Sequence, residues 1–259
     1  MKAAHRGSPR ILAVAALAVL GICGAIVLVS AAPPPDLVGR SNWVLAGALP
    51  PATDFPADWR YSVSGPLGFA VPPEAEPGAW ARDPAPVYLP ARCGELPGLF
   101  TAASDHIAAV RAERPIGALR AARAETLDAA ATGELTDPGP VTSFRLWTSA
   151  DPAGLLAGYR TWLHDCGTYR VAATDPFSGA GQHRQVTTMI APTPPSAGAL
   201  AVLRTYTPDD GAAADPLTFA VRYYPVRGLM LETTTTLTGT DRELIARLAD
   251  QTAERLAAL

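Results

Sequence analysis

The longest apolar stretch of the chain runs from Ile11 to Ala32 and contains no charged residue. As a helix rising about 1.5 Å per residue, it would extend about 33 Å, enough to cross a hydrocarbon core of about 30 Å. Three basic residues, Lys2, Arg6 and Arg10, precede it. The positive-inside rule therefore predicts a cytoplasmic tail at residues 1–10, a single transmembrane anchor at residues 11–32 in the cytoplasmic membrane, and a C-terminal domain outside.

Two other interpretations of this stretch remain open. A cleaved signal peptide would use Val29-Ser30-Ala31 as its cleavage site, although the apolar region exceeds the usual 7–15 residues. A lipoprotein would use Cys23, but the bulky Ile22 precedes that cysteine and apolar sequence continues beyond it. Each interpretation places the rest of the chain outside the cytoplasm.

The region after the anchor divides into a Pro-rich stalk at residues 33–41 and one domain at residues 42–259. The clearest helical pattern begins at Asp151-Pro152, an N-cap followed by a first-turn proline. Apolar residues then recur at the spacing of one helical face, and Gly167 provides a stop. We expect Cys166 at the buried end of that face.

The chain after this helix alternates with the period of β-strands. Consecutive strands without intervening helices predict antiparallel pairing, because parallel crossovers need about a dozen residues. Pro225–Gly228 is short enough for a hairpin turn. The predicted strands are Tyr169–Ala173, Arg184–Ile190, Leu200–Tyr206, Leu217–Tyr224 and Leu229–Leu237.

Thr240 and Glu243 have the spacing of a capping box for a final helix through Leu259. Weaker patterns complete the prediction. They are a helical turn or two at Trp43–Leu49, a strand through Tyr61 and Val63, an irregular loop or lid at Gly65–Ala91, a strand at His106–Glu113 that suits helix nearly as well, a helix at Ile116–Ala131, and a strand at Val141–Trp147. The predicted fold class is α+β: a curved antiparallel sheet flanked by amphipathic helices, preceded by one N-terminal transmembrane helix.

Charge and composition narrow the classes of partner. Residues 33–259 carry 18 arginines against 24 acidic residues, a net charge of −6. An acidic domain is poorly suited to nucleic acid, whose phosphates need a basic surface. The chain has a single lysine and is rich in Ala, Pro, Gly and Arg. That bias is typical of a GC-rich bacterial genome.

The cysteines follow from the predicted location. Cys23 falls within the apolar stretch, which leaves Cys93 and Cys166 in the outer domain. An even pair outside the cytoplasm predicts a disulfide. The alternative is a Cys166 nucleophile assisted by His164, but residues two apart on a helix point in different directions.

No catalytic motif, cofactor site or metal site is recognisable in the sequence. His106, His164 and His183 are far apart, so a catalytic or metal cluster would require the fold to gather them. Asp209, Asp210 and Asp215 suit a solvated turn better than a calcium loop. Trp59, Trp147 and Trp162 are interpreted as core residues, whereas Trp80 and Tyr88 are weak candidates for ligand contact because they lie in the Pro-rich segment.

A family resemblance rests on short motifs. The segment Leu49-Pro50-Pro51-Ala52-Thr53-Asp54-Phe55-Pro56-Ala57-Asp58-Trp59 and the Trp162-to-Cys166 helix precede a series of strands and a terminal helix. This arrangement resembles the secreted or membrane-anchored sensor-like domains of mycobacteria and related actinobacteria, whose relatives include the extracellular domain of PknH-type receptor kinases. The resemblance implies an antiparallel sheet with helices, a cleft and a ligand-sensing role. It supplies no catalytic residue, and the chain lacks the second disulfide and the kinase domain.

These observations predict a membrane-anchored, non-enzymatic, extracytoplasmic ligand-binding or sensor-like domain of the cell envelope. Its expected partners are the membrane, through residues 11–32, and either an envelope protein or a small lipid or glycan ligand. The alternative functions are a structural or assembly partner of an envelope complex and an envelope hydrolase.

Overall fold

A computed structural model describes residues 36–64, 86–102, 106–113, 140–174, 181–192, 195–196, 198–209 and 216–259. Within these ranges no helix has the length and apolar character needed to cross a membrane. The apolar stretch at residues 11–32, the predicted helix at Ile116–Ala131 and most of the Pro-rich segment lie outside them.

Alternating apolar and polar positions produce one large sheet in the described residues. Its nine strands are β1 (Arg60–Ser64), β2 (Val87–Leu89), β3 (His106–Glu113), β4 (Val141–Thr148), β5 (Thr168–Thr174), β6 (Gly181–Ile190), β7 (Leu200–Pro208), β8 (Leu217–Val226) and β9 (Leu229–Thr235). Their order across the sheet is β1-β3-β4-β9-β8-β7-β6-β5-β2. Every neighbouring pair is antiparallel, which confirms the α+β prediction.

The five strands predicted after the long helix are confirmed as a continuous meander from β5 to β9. The strand predicted at His106–Glu113 and the one at Val141–Trp147 are also confirmed, as β3 and β4. Pairing of β4 with β9 joins the early strands to the meander. As a result β1 and β2, which are consecutive in the chain, lie at opposite edges of the sheet.

The helices of the described residues are α1 (Asn42–Ala46), α2 (Gly98–Ala102), α3 (Pro152–Cys166) and α4 (Gly239–Ala258), with short 3-10 turns at Ala52–Asp54 and Ala91–Gly94. The N-cap prediction for α3 is confirmed, because the Asp151 carboxylate accepts a 2.8 Å hydrogen bond from the Gly154 amide. This bond satisfies one of the free amides of the first turn.

The predicted capping box of the last helix is wrong. Helix α4 begins at Gly239, whose φ of +56° only glycine adopts readily, and its N-cap is Thr238 without a side-chain cap. Thr240 therefore lies inside the first turn rather than at the cap. The predicted final helix itself is confirmed, and its buried side includes Leu248, Thr252 and Leu256.

The irregular segment predicted through Ala91 also needs correction at its end. Val87–Leu89 form edge strand β2, paired with β5, and a 3-10 turn follows from Ala91. The prediction missed this strand because three residues between prolines give too short an alternation to recognise.

Each face of the sheet has its own hydrophobic core. On the face that we call the α4 face, residues of β3, β4, β8 and β9 pack against α1 and α4. On the opposite face, the α3 face, residues of β4 to β9 pack against α2 and α3. The Leu49-to-Trp59 segment contributes Phe55 and Trp59 to the first core, where Phe55 also contacts Tyr61 and Phe144.

The predicted disulfide between Cys93 and Cys166 is present. It joins the 3-10 turn after β2 to the last residue of α3, and both sulfur-bearing residues are buried. The bond therefore holds the segment that leads into α2 against the C-terminal end of α3.

The turn between β8 and β9 anchors the beginning of the described domain. Arg227 and Gly228 have φ values of 46° and 82°, the positive values that a tight two-residue hairpin requires. The Leu37 amide donates a 3.0 Å hydrogen bond to the Arg227 carbonyl, and the Ser149 amide donates one of 3.0 Å to the Gly228 carbonyl. The chain thus enters the domain beside the connection between β4 and α3.

Candidate functional site

An open groove of about 800 Å³ lies along α3. One side is formed by Glu95–Gly98, before and at the start of α2, and another by the β4–α3 connection at Thr148–Asp151. Residues of α3, among them Gly154, Gly158 and Trp162, form the floor. The size is within the range of small-molecule sites.

The groove exists because α3 lacks side chains along one stripe. Gly154 and Gly158 are four residues apart and therefore lie one above the other on the same face of the helix. A Cβ atom built at Gly158 would meet no atom within 4 Å. This Gly-x-x-x-Gly spacing was the sequence signal for the groove, and the prediction of α3 considered only its apolar face.

Trp162 separates the groove from the interior of the α3 face. It lines the groove and packs edge-on against Phe100 at 6.2 Å and Tyr169 at 5.6 Å between ring centroids. The sequence interpretation of Trp162 as a core residue is therefore only half correct, whereas Trp147 and Trp59 are buried as predicted. Behind Trp162 lies the guanidinium of Arg204, whose Cζ is 5.8 Å from the Trp162 ring and 4.8 Å from the Phe100 ring.

Arg204 lies in the interior because of its position in β7. Leu200, Val202, Arg204 and Tyr206 alternate onto the α3 face, so the arginine takes the place of an apolar residue. Only 1% of its surface is exposed. Its Nε donates a 3.1 Å hydrogen bond to Thr188 Oγ1, but Nη2 has no hydrogen-bond partner. Arg204 forms no ion pair with a carboxylate of the described residues.

Several other buried polar atoms around Arg204 also lack hydrogen-bond partners within the described chain. They are the hydroxyls of Tyr159, Tyr169 and Tyr223 and the indole nitrogens of Trp147 and Trp162, whereas the hydroxyl of Tyr206 interacts with the Arg204 guanidinium. Burial of a polar group without a partner costs about 1–3 kcal/mol. The burial of several such polar atoms in the core of the α3 face therefore lowers the stability of the domain. We call Arg204 with these four tyrosines and Trp162 the Arg204 cluster.

Burial raises the pKa of all four tyrosines of the cluster, because the phenolate form loses its hydration. In each case the positive charge of Arg204 opposes that rise. The Glu232 carboxylate raises the pKa of Tyr159 and Tyr223 further. Glu232 is buried opposite Arg145 in the β4–β9 register.

The candidate site residues that lie in the described part of the chain do not line this groove. Trp80 lies outside the described residues. Tyr88 belongs to β2, where its ring packs 5.8 Å from that of Tyr169 and against Gly94. Cys93 and Cys166 form the disulfide below the groove.

The fold does not bring the three candidate histidines together. His106 and His183 lie on β3 and β6, five strand spacings apart, which is about 24 Å. His164 is exposed at the end of α3, with Nδ1 2.9 Å from Asp165. Asp209 contacts Arg170 at 3.2 Å, and Asp210 and Asp215 lie outside the described residues. Among the described residues no group of three potential ligands could hold a metal ion.

A second, smaller cavity of about 190 Å³ lies between the α4 face and α4. The two arginines that line it have partners: Arg222 contacts Asp250 at 3.5 Å, and Arg242 donates to the Leu237 carbonyl at 2.9 Å. We interpret this cavity as a gap in the packing between helix and sheet.

Comparisons with known proteins identify no family. No protein-family model matches the chain, and no curated protein matches it. Among solved structures, the chain is similar to the crystal structure of the extracellular domain of PknH from Mycobacterium tuberculosis, with a TM-score of 0.47 and 8% sequence identity. The similarity covers 84% of this chain and 97% of that chain. A likeness of this size assigns neither a family nor a function.

Proposed function

We propose that the chain is a membrane-anchored, extracytoplasmic ligand-binding domain without enzymatic activity, and that the groove along α3 is its binding site. One observation carries the proposal: Trp162, which lines the groove, has its ring 5.8 Å from the guanidinium carbon of Arg204, a buried arginine without an ionic partner among the described residues. Buried polar groups without partners are rare in folded proteins. Their presence beside a groove favours a ligand that supplies the missing interactions.

The location outside the cytoplasm is supported by two features. The Cys93–Cys166 disulfide is typical of oxidising compartments. The apolar stretch at residues 11–32, preceded by basic residues, has the length and charge pattern of a signal-anchor.

Binding rather than catalysis is favoured by the polar groups of the groove. The Asp151 carboxylate caps α3, and Ser149 Oγ accepts a 3.3 Å hydrogen bond from the Asp151 amide. Both groups therefore stabilise the local backbone. A general base or nucleophile would need a free side chain within hydrogen-bond reach of a reacting atom.

Gly158 offers a matched pair of variants to test this site. Gly158→Phe adds a large side chain at a position that faces the open groove, whereas Gly158→Ala leaves most of the groove free. The protein would be purified from its native membranes and examined by native mass spectrometry. We expect a bound small molecule in the wild type and in Gly158→Ala, and its loss in Gly158→Phe. An empty wild-type protein, or the same bound mass in all three, would refute the proposal.

A second candidate function, assembly with an envelope partner, is supported by an exposed apolar surface at the start of the domain. Val38, Trp43 and Val44 are 49%, 64% and 45% exposed. A photo-crosslinker at position 43, activated in native membranes, would give a defined protein adduct if this surface binds a partner. A crosslinker at exposed His164, outside the groove, is the control.

A further inference from the structure

The charges around Arg204 identify the class of ligand, on the basis of the proposed function. We propose that the groove binds an apolar monocarboxylic acid, whose carboxylate reaches Arg204 past Trp162 and whose apolar body lies along α3.

The edge of the Arg204 guanidinium formed by Nε and Nη2 is suited to a carboxylate. Nε and Nη2 point from the same edge of the planar guanidinium, the edge that binds both oxygens of a carboxylate through two parallel hydrogen bonds. In the structure Nε is bonded to the Thr188 hydroxyl and Nη2 is free. One carboxylate oxygen at Nη2 would satisfy the guanidinium without disturbing Thr188. The other oxygen would be available to the tyrosine hydroxyls of the cluster, which can donate.

Electrostatic balance favours a single negative charge. Arg204 supplies one positive charge within the cluster, while the buried Glu232 carboxylate acts on Tyr159 and Tyr223 nearby. A doubly charged phosphate would leave one charge uncompensated in a buried site, which is strongly unfavourable. The single negative charge of a monoanion would balance the single positive charge of Arg204.

The apolar body of the ligand follows from the groove. Leu155, Pro97 and the Trp162 ring provide apolar walls, and the open space at Gly158 allows close approach to the helix backbone. Glu95 and Asp151, which also line the groove, would repel a second acidic group. An acid with one carboxylate and an apolar remainder fits this distribution.

The test uses the full-length chain in a non-ionic detergent, with hexanoate as the probe in isothermal titration calorimetry. Hexanol has the same apolar body without the charge, and acetate has the single charge with almost none of the apolar body. We expect hexanoate to bind with a stoichiometry of one, and hexanol and acetate to bind at least tenfold more weakly. Equal binding of acetate and hexanoate would overturn the proposal, as would equal binding of hexanol.

Three variants identify the residues involved. Arg204→Met keeps the apolar stem and removes the charge, and should weaken hexanoate binding roughly ten- to a hundredfold, as expected for a charged hydrogen bond. Tyr159→Phe preserves shape and should weaken it severalfold. Arg170→Met is the control, because Arg170 is exposed on the opposite face of the sheet and should bind like the wild type. Hexanoate binding unchanged in both Arg204→Met and Tyr159→Phe would overturn the assignment.

Thermal unfolding without ligand distinguishes a binding arginine from a structural one. Removing an uncompensated buried charge should leave the midpoint of Arg204→Met unchanged or raised. A midpoint lowered by several degrees would show that Arg204 is paired within the fold, and would overturn the proposal even if binding were lost. If the groove instead retains a neutral molecule that Gly158→Phe excludes, the proposed function holds and the acid-binding inference fails.

Discussion

Reduction of the Cys93–Cys166 disulfide should strongly destabilise the domain. The two cysteines are 73 residues apart in sequence. In the chain-entropy model, closing a loop of that length lowers the conformational entropy of the unfolded chain. The resulting rise in the free energy of the unfolded state is about 4 kcal/mol at 25 °C. The total free energy of unfolding of a domain is about 5–15 kcal/mol, so this bond would supply a large part of the stability.

Equilibrium urea unfolding measures the effect directly. Tryptophan fluorescence and far-UV circular dichroism would be followed with and without a thiol reductant, for the wild type and for the double variant Cys93→Ala/Cys166→Ala. We expect the reductant to lower the free energy of unfolding of the wild type by about 4 kcal/mol. The double variant should not respond to the reductant. The thermal midpoint should fall by roughly 10 °C, since each kcal/mol shifts it by about 2–4 °C in a domain of this size.

The same bond should affect the groove. Cys93 lies two residues before Glu95, which begins one wall, and Cys166 ends the helix that forms the floor. Reduction should therefore weaken ligand binding before the domain unfolds. The reasoning would be refuted if oxidised and reduced wild type differed by less than about 1 kcal/mol, because a linkage across 73 residues cannot be that small without a strained native bond or a compact unfolded state.

Three further predictions concern the backbone and the titration of the core. Gly158→Ala should stabilise the domain by about 1 kcal/mol in urea unfolding, because alanine favours helix and its Cβ meets no atom; a loss of stability would contradict the open groove. Gly228→Ala should lower the free energy of unfolding by about 1–3 kcal/mol, since φ is +82° and a Cβ would collide with the Asp36 carboxylate. Gly39→Ala is its control, because a Cβ there meets no atom within 4 Å. Burial raises the pKa of Tyr206 and Tyr223 above 10.0, so the unfolded chain ionises first. The free energy of unfolding should therefore be constant below about pH 9 and fall above pH 10, by about 1.4 kcal/mol per pH unit for each tyrosine that stays protonated; a flat profile to about pH 11 would refute this.

The sequence pattern predicted correctly those helices and strands that carry several residues of the same periodicity or several end signals. The strands from β5 to β9 each alternate over seven to ten residues, and α3 combines an N-cap, a proline and an apolar face. The capping box at Thr240 failed because a residue pattern cannot reveal that Gly239 adopts a positive φ. The positions of β1 and β2 at opposite edges depend on pairing between distant segments, which alternation does not encode.

The candidate site was missed for a different reason. The alternation of β7 already placed Arg204 on the same face as Leu200, Val202 and Tyr206, so its burial could be derived from the sequence. Arginines are rarely buried without a partner, and the general expectation of an exposed side chain concealed the signal. The groove depends on how α2 and the β4–α3 connection approach Gly158, which the sequence does not specify.

The attachment of the first described residues has a mechanical consequence. Leu37 is hydrogen-bonded to the β8–β9 turn, and Arg40 Nη2 donates a 2.8 Å hydrogen bond to the Leu259 carbonyl, just beyond α4. Strands β8 and β9 lie at the centre of the sheet, flanked by β7 and β4. Tension along the chain from residue 36 would therefore be borne by the middle of the sheet and the last helix, where several strands must shear together, rather than by an edge strand that could peel away alone.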